Sequence, residues 1–150
     1  MSTSLKVKLD VSKNMKDTNG NPIKVYIHDW YYASQADKDK DDSTAYRECV
    51  SGRTICGIPI TYDTASPVCS CETKGSGSCA FDDSKWALYF WDNNSEIGSG
   101  NIGYVHFKET CGTSKWHVSG SGSVGKYSVT VTMDPHSDTE ATVTIQLLPS

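Results

Sequence analysis

The sequence predicts an all-β fold, a single-domain antiparallel β-sandwich of seven to nine strands that disulfide bonds stabilise. Three observations lead to this prediction. Short segments alternate apolar and polar residues with a period of two, and turn residues separate these segments. No segment has the apolar stripe of period 3.6 that an amphipathic helix needs. The length of 150 residues is typical of one domain, and no linker divides residues 1–150.

The strand pattern is clearest in seven segments of the chain. These predicted strands are residues 5–11, 23–32, 54–61 (interrupted at Pro59), 85–91, 102–109, 127–133 and 141–147. The last two segments form the clearest hairpin, because each alternates regularly and their outward positions are rich in Thr. Residues 119–125, Ser-Gly-Ser-Gly-Ser-Val-Gly, are predicted to be a flexible loop.

The cysteine content indicates an oxidising compartment. Six cysteines in 150 residues are unusual for a cytosolic protein and common in secreted ones. Five of them fall in a stretch rich in Gly, Ser and Thr, where covalent bridges would supply the order that the backbone lacks. The predicted disulfide cysteines are Cys49, Cys56, Cys69, Cys71, Cys79 and Cys111. We therefore expect a secreted, extracellular protein with three disulfide bonds.

Sequence spacing suggests a pairing for these cysteines. Cys71 and Cys79 flank a Gly- and Ser-rich segment, and Cys49 and Cys56 are similarly spaced, which leaves Cys69 for Cys111. An exchange of Cys69 and Cys71 fits nearly as well, because the two would point the same way in an extended chain. A zinc site is disfavoured, since Cys69-Ser-Cys71 is tighter than a zinc knuckle and has no matching second pair.

Charge and hydropathy exclude two classes of partner. The net charge is −4, and Arg47 and Arg53 are the only arginines, so no basic cluster is present to neutralise nucleic-acid phosphates or an anionic membrane. No apolar run approaches the length of a membrane span. The polar start at Met1 has no apolar signal region. We interpret this as a mature form with an added initiator Met, and the alternative interpretation is a cytosolic protein.

An acidic segment follows the second predicted strand and offers a weak calcium candidate. Asp37, Asp39, Asp41 and Glu48 have the spacing of positions 1, 3, 5 and 12 of an EF-hand loop. Asp42 replaces the Gly expected at the sharp turn, and no flanking amphipathic helices are visible. The competing interpretation is a solvated loop without a metal. No other cofactor is expected.

Aromatic residues beside polar ones give the main functional hypothesis. An exposed ring can stack on a sugar while neighbouring Asp and Asn side chains bind its hydroxyls. The predicted ligand-binding residues are Trp30, Trp91, Asp92 and Asn93. The competing interpretation is that large aromatic residues fill the core, although strand alternation turns either Trp86 or Trp91 outward. Asn93-Asn94-Ser95 also matches an N-glycosylation acceptor.

No catalytic motif is visible. The chain has no G-x-S-x-G nucleophile motif, and Glu96 and Glu109 are the only glutamates near aromatic residues that suit a glycosidase pair. In general character, the chain resembles the small cysteine-containing secreted proteins of fungi, which include effectors, allergens and lectins. This resemblance is one of type, so it assigns no residue roles.

We therefore expect a secreted, cysteine-containing binding protein that is lectin-like or effector-like, with a role in virulence in the latter case. Its ligand would be a glycan or an extracellular host protein, and the loops 34–48, 66–79 and 92–101 would form the recognition surface. The alternatives are a secreted protease inhibitor or other interaction protein, and a small secreted hydrolase.

Overall fold

The computed structural model describes residues 4–32, 59–64, 68–72, 84–93, 100–110 and 115–149. These residues form eight β-strands and no helix, and therefore no helix that could cross a membrane. The strands are β1 (Ser4–Val11), β2 (Tyr26–Tyr32), β3 (Val68–Glu72), β4 (Ser84–Trp91), β5 (Gly103–Thr110), β6 (Lys115–Ser123), β7 (Tyr127–Met133) and β8 (Glu140–Leu147). The predicted all-β class is confirmed.

The strands form two four-stranded sheets in a sandwich-like arrangement. The first sheet has the order β3-β1-β8-β7 and the second has the order β2-β4-β5-β6. The prediction of a purely antiparallel sandwich is wrong at one pair, because β1 and β8 run parallel, with Lys6 opposite Glu140 and Val11 opposite Ile145. Residue alternation reports which face of a strand is buried but not its direction, so the sequence pattern fits either pairing.

The core lies between the inner faces of the two sheets. Along β1, Leu5, Val7 and Leu9 are almost completely buried, whereas Lys6 and Lys8 between them are exposed. Strands β5 and β8 alternate in the same way, whereas β4 is buried at every position from Trp86 to Phe90. The largest fully buried side chains are Trp86, Phe90, Phe107, Leu5, Leu9, Met15, Ile27, Leu88 and Ile102. Because one apolar cluster joins residues of both sheets, the sheets pack as one hydrophobic unit.

The predicted flexible loop 119–125 is wrong for most of its length. Strand β6 continues to Ser123, and its glycines pair with aromatic residues of β5: Gly122 lies opposite Tyr104, and Gly120 lies opposite His106. A Cβ atom at Gly122 would lie 2.5 Å from Cε1 of Tyr104, so this ring occupies the space that a side chain would need. Cross-strand aromatic cover of this kind compensates for the low strand preference of glycine.

Part of the cysteine-rich stretch is also a strand. Strand β3 occupies residues 68–72 of the predicted loop 66–79, with Cys71 opposite Leu5 and Cys69 opposite Val7. The predicted strand 54–61 is represented in the described residues by an isolated bridge between Ile60 and Val25. The other four cysteines lie outside the described residues, so the disulfide bonds stay a prediction.

Candidate functional site

Three chain connections meet at one end of the two sheets. They join β1 to β2, β4 to β5, and β6 to β7. Two backbone hydrogen bonds involve the β6–β7 connection: the amide of Val124 donates to the carbonyl of Ile102, just before β5, at 3.0 Å, and the amide of Leu148, just after β8, donates to the carbonyl of Lys126 at 2.8 Å. Among the described residues, these bonds tie the β6–β7 connection to the start of β5 and to the residue that follows β8.

A groove of about 350 Å³ opens between these connections. We call it the Asp92 groove. Its lining comes from the β1–β2 connection, the start of β2, the end of β4 and the start of β7. The residues that line it are Asp17, Pro22, Ile23, Lys24, Tyr26, Asp92, Lys126 and Tyr127. Its volume is at the small end of the range of about 300–1,000 Å³ that is usual for ligand pockets.

Asp92 is the centre of the hydrogen-bond network in this groove. One carboxylate oxygen, Oδ1, accepts from Nδ2 of Asn101 at 2.7 Å and from Nδ2 of Asn93 at 2.8 Å. The other, Oδ2, accepts from the hydroxyl of Tyr127 at 2.8 Å. The backbone amide of Asp92 donates to Oδ1 of Asn101 at 3.0 Å, so both ends of that amide side chain are used. The carboxylate is thus held in one position from three directions.

The hydrogen bonds around Asp92 determine how Asp92 and Tyr127 titrate. Partial burial pushes the pKa of Asp92 upward, but hydrogen bonds from Asn101, Tyr127 and Asn93 and the charge of Lys126 outweigh it, so the pKa lies below its ordinary value of 3.8. Burial raises the pKa of Tyr127, and its hydrogen bond to the Asp92 carboxylate raises it further. Asp92 is therefore an anion and Tyr127 a neutral donor over the physiological pH range.

Tight backbone packing fixes the end of the β4–β5 connection. Gly100 has φ of +75°, and a Cβ atom there would lie 2.5 Å from the carbonyl oxygen of Gly103 and 2.6 Å from that of Phe90. Only glycine tolerates both the left-handed backbone and this close approach. The chain therefore returns directly to β5, which places Asn101 beside Asp92.

The four predicted ligand-binding residues have different positions in this arrangement. Asp92 lines the groove. Asn93 is exposed, and its side-chain amide donates a hydrogen bond to the Asp92 carboxylate. Trp91 is half-buried and lies opposite Tyr26 in the β2–β4 ladder, so it borders the groove rather than lining it. Trp30 lies further along β2, opposite Ala87, and its side chain is outside the described part of the structure.

The described residues do not test the calcium and glycosidase candidates, which stay predictions. Asp37, Asp39, Asp41, Glu48 and Glu96 lie outside them. Within the ranges that the structure describes, no group of three or more His, Cys, Asp or Glu residues could hold a metal ion. Glu109, the other glutamate of the glycosidase hypothesis, is 9% exposed and lies opposite Trp116 in the β5–β6 ladder.

The sequence did not predict a second aromatic cluster, formed by Tyr89, Tyr104 and His106 on the face of the second sheet away from the core. The Tyr104 and His106 rings lie 4.8 Å apart, and the Tyr89 hydroxyl is 3.1 Å from Nε2 of His106. The signal was present in the alternation of β5, which puts Tyr104 and His106 on one side. The pairing of these two residues with Gly122 and Gly120 of β6 is visible only in the structure, so the alternation alone did not reveal the cluster.

A larger cleft, of about 420 Å³, lies near the β7–β8 connection. Lys6, Lys8, Thr132, Asp134 and Glu140 contribute to its walls. Its lysines are exposed side chains on the outer face of β1, and no hydrogen-bond network comparable to that of Asp92 fixes its polar groups among the described residues. Preorganised polar groups distinguish recognition sites from surface depressions, so the smaller Asp92 groove is the better candidate.

The fold and the groove together define a β-sandwich-like protein that presents an ordered polar groove at the connections between its strands. Comparisons with protein-family models, with curated proteins and with solved structures gave no match.

Proposed function

We propose that this protein is a secreted binding protein that recognises a glycan in the Asp92 groove. The observation that carries the proposal is the Asp92 carboxylate, which is held by hydrogen bonds from Asn93, Asn101 and Tyr127. An ionised carboxylate has about four acceptor positions, so about one is left for a ligand hydroxyl. Fixing this group before binding lowers the entropy that a ligand must overcome.

The walls of the groove suit a sugar. Tyr26 is half-buried and lines the groove, with Trp91 opposite it in the sheet, so aromatic surface lies next to the fixed carboxylate. A pyranose presents an apolar face and a ring of hydroxyls, and it needs both kinds of surface at once. The volume of about 350 Å³ suits a short saccharide unit rather than a large apolar ligand.

Secretion is part of the same proposal, and it rests on the cysteine content. Mass spectrometry of the protein purified from an oxidising compartment, with and without reduction, measures the number of disulfide bonds. Three bonds are expected. Six free thiols in that material would contradict extracellular residence.

A glycan array followed by calorimetry tests the ligand class. We expect at least one glycan to bind, and we expect Tyr26→Ala to weaken its binding by about tenfold or more, because the aromatic wall is lost. The matched control is Thr130→Ala, an exposed substitution on the first sheet that should leave the affinity unchanged. An array without any binding, using protein whose fold is verified by circular dichroism, would refute the proposal.

A further inference from the structure

We infer that the glycan bound in the Asp92 groove is acidic, and that Lys24 and Lys126 bind its carboxylate or sulfate group. This inference rests on the proposed function and names the class of sugar. It follows from counting which hydrogen-bonding groups of the groove are already used within the protein and which are available to a ligand.

The acceptors of the groove are largely committed to the protein. Asp92 accepts three side-chain hydrogen bonds, as described above. Asp17 uses Oδ1 to accept from the backbone amides of Asn19 and Asn21, both at 2.9 Å, which closes the turn between β1 and β2. With about four acceptor positions for each carboxylate, roughly one remains open on Asp92 and roughly two on Asp17, so the larger part of the acceptor capacity is used within the protein.

The donors of the groove are open. Lys24 and Lys126 are exposed and line the groove from two different connections, one before β2 and one before β7. Among the residues that the structure describes, neither lysine forms a salt bridge. The Lys126 ammonium lies 5.4 Å from the Tyr127 ring centroid, and its charge lowers the pKa of Asp92. Two positively charged side chains therefore line the groove, each from a different connection, and both are available to a ligand.

The charges of the groove separate into two roles. The carboxylates of Asp17 and Asp92 accept the hydrogen bonds that hold the connections in place, whereas the two exposed lysines are available to a ligand. Hydrogen bonds between an ammonium group and a carboxylate or sulfate are about twice as strong as neutral ones. A sugar that carries such a group and presents its ring to Tyr26 would satisfy all of the open groups at once.

The experiment uses acidic oligosaccharides, each paired with an uncharged counterpart. Oligogalacturonate is paired with its methyl ester, hyaluronan with its carboxyl-reduced form, and dextran sulfate with dextran. Isothermal titration of the whole protein should show at least one acidic member binding about tenfold or more tighter than its partner. The affinity of that member should fall as ionic strength rises, since salt screens exposed charges.

Three variants connect the preference to the groove. Lys24→Gln and Lys126→Gln should each weaken binding of the acidic sugar about tenfold and leave its uncharged counterpart unaffected. The matched control is Lys13→Gln, which removes the same charge from an exposed position that does not line the groove. Its binding should equal that of the wild type.

The outcomes separate this inference from the proposed function. Equal binding of the charged and uncharged partners, or an equal loss in Lys13→Gln, would overturn the inference and leave glycan binding in place. Tight binding of only neutral glycans on the array would do the same. Absence of binding by every glycan would overturn both.

Discussion

The hydrogen bond between Tyr127 and Asp92 gives the sharpest test of the structure. In Tyr127→Phe, the buried ring is retained and only the hydroxyl is lost, so packing against the core is unchanged. A hydrogen bond to a charged group contributes about 1.5–3 kcal/mol to stability. Asp92 is only half-buried and solvent screens its charge, so we expect a loss at or just below the lower limit of this range, about 1–1.5 kcal/mol.

Urea unfolding measures this loss directly. With a slope of about 1–3 kcal/mol per molar urea, the midpoint should fall by roughly 0.3–1.5 M while the slope stays the same. The matched control is Tyr26→Phe, which also deletes one hydroxyl, from a half-buried tyrosine whose hydroxyl has no hydrogen bond within the described residues. Its free energy of unfolding should change by less than about 0.5 kcal/mol.

A double-mutant cycle assigns the effect to the pair. In the Asp92→Asn background, Tyr127→Phe should cost much less than in the wild type, because the charged acceptor is gone; a coupling free energy of about 0.5–1.5 kcal/mol is expected. The same loss in both backgrounds, or a loss below about 0.5 kcal/mol in the wild type, would show that the hydroxyl is not bound to Asp92 as described.

Three further predictions concern the core, strand β6 and pH. Phe107→Ala should lower the free energy of unfolding by about 3–5 kcal/mol in urea titrations, because it leaves a cavity in a fully buried site; a loss below about 1 kcal/mol would contradict that burial. Gly122→Ala should lower the free energy of unfolding by about 1–3 kcal/mol, because the new Cβ meets the Tyr104 ring. The control is Gly120→Ala, whose Cβ lies 3.8 Å from the nearest side-chain atom and which should cost less than about 1 kcal/mol. Equal losses in the two variants would mean that the ring does not cover Gly122. Because the pKa of Asp92 is lower in the folded protein, its contribution to stability is complete above about pH 4 and is lost as the pH falls through the folded pKa. The melting temperatures of the wild type and Asp92→Asn should therefore converge in acid. A difference that stays constant with pH would argue against the lowered pKa.

The strands with regular alternation were predictable from the sequence, and the reason is the burial of one face. Leu5, Val7 and Leu9 in β1, and Val143 and Ile145 in β8, are buried at every second position, and the sequence shows this directly. Strand β6 was not predictable, because Gly and Ser carry no alternation. Its stability depends on aromatic residues of the neighbouring strand, and such pairing is a property of the tertiary structure.

The candidate site was predictable only in part. The sequence pattern of aromatic and polar residues singled out Trp91, Asp92 and Asn93, which lie at the end of the molecule where the Asp92 groove opens. The partners that fix Asp92 are Asn101 and Tyr127, which lie 9 and 35 residues away in the chain. The lysines of the groove come from two further connections. No local pattern indicates such contacts, because the folding of both sheets creates them.

The parallel pairing of β1 with β8 has a consequence for how the chain acquires its structure. Strand β1 is made early in synthesis, yet its neighbour β8 is made late, and the side chain of Asn14 also bonds the backbone of Leu147, 133 residues further on. The first sheet therefore cannot form completely until β8 has left the ribosome. Until then, the apolar face of β1 lacks this neighbouring strand. Long-range pairing of this kind slows folding and lengthens exposure to aggregation. The apolar face of β1 should thus depend on chaperones for protection in the nascent chain until β8 has been made.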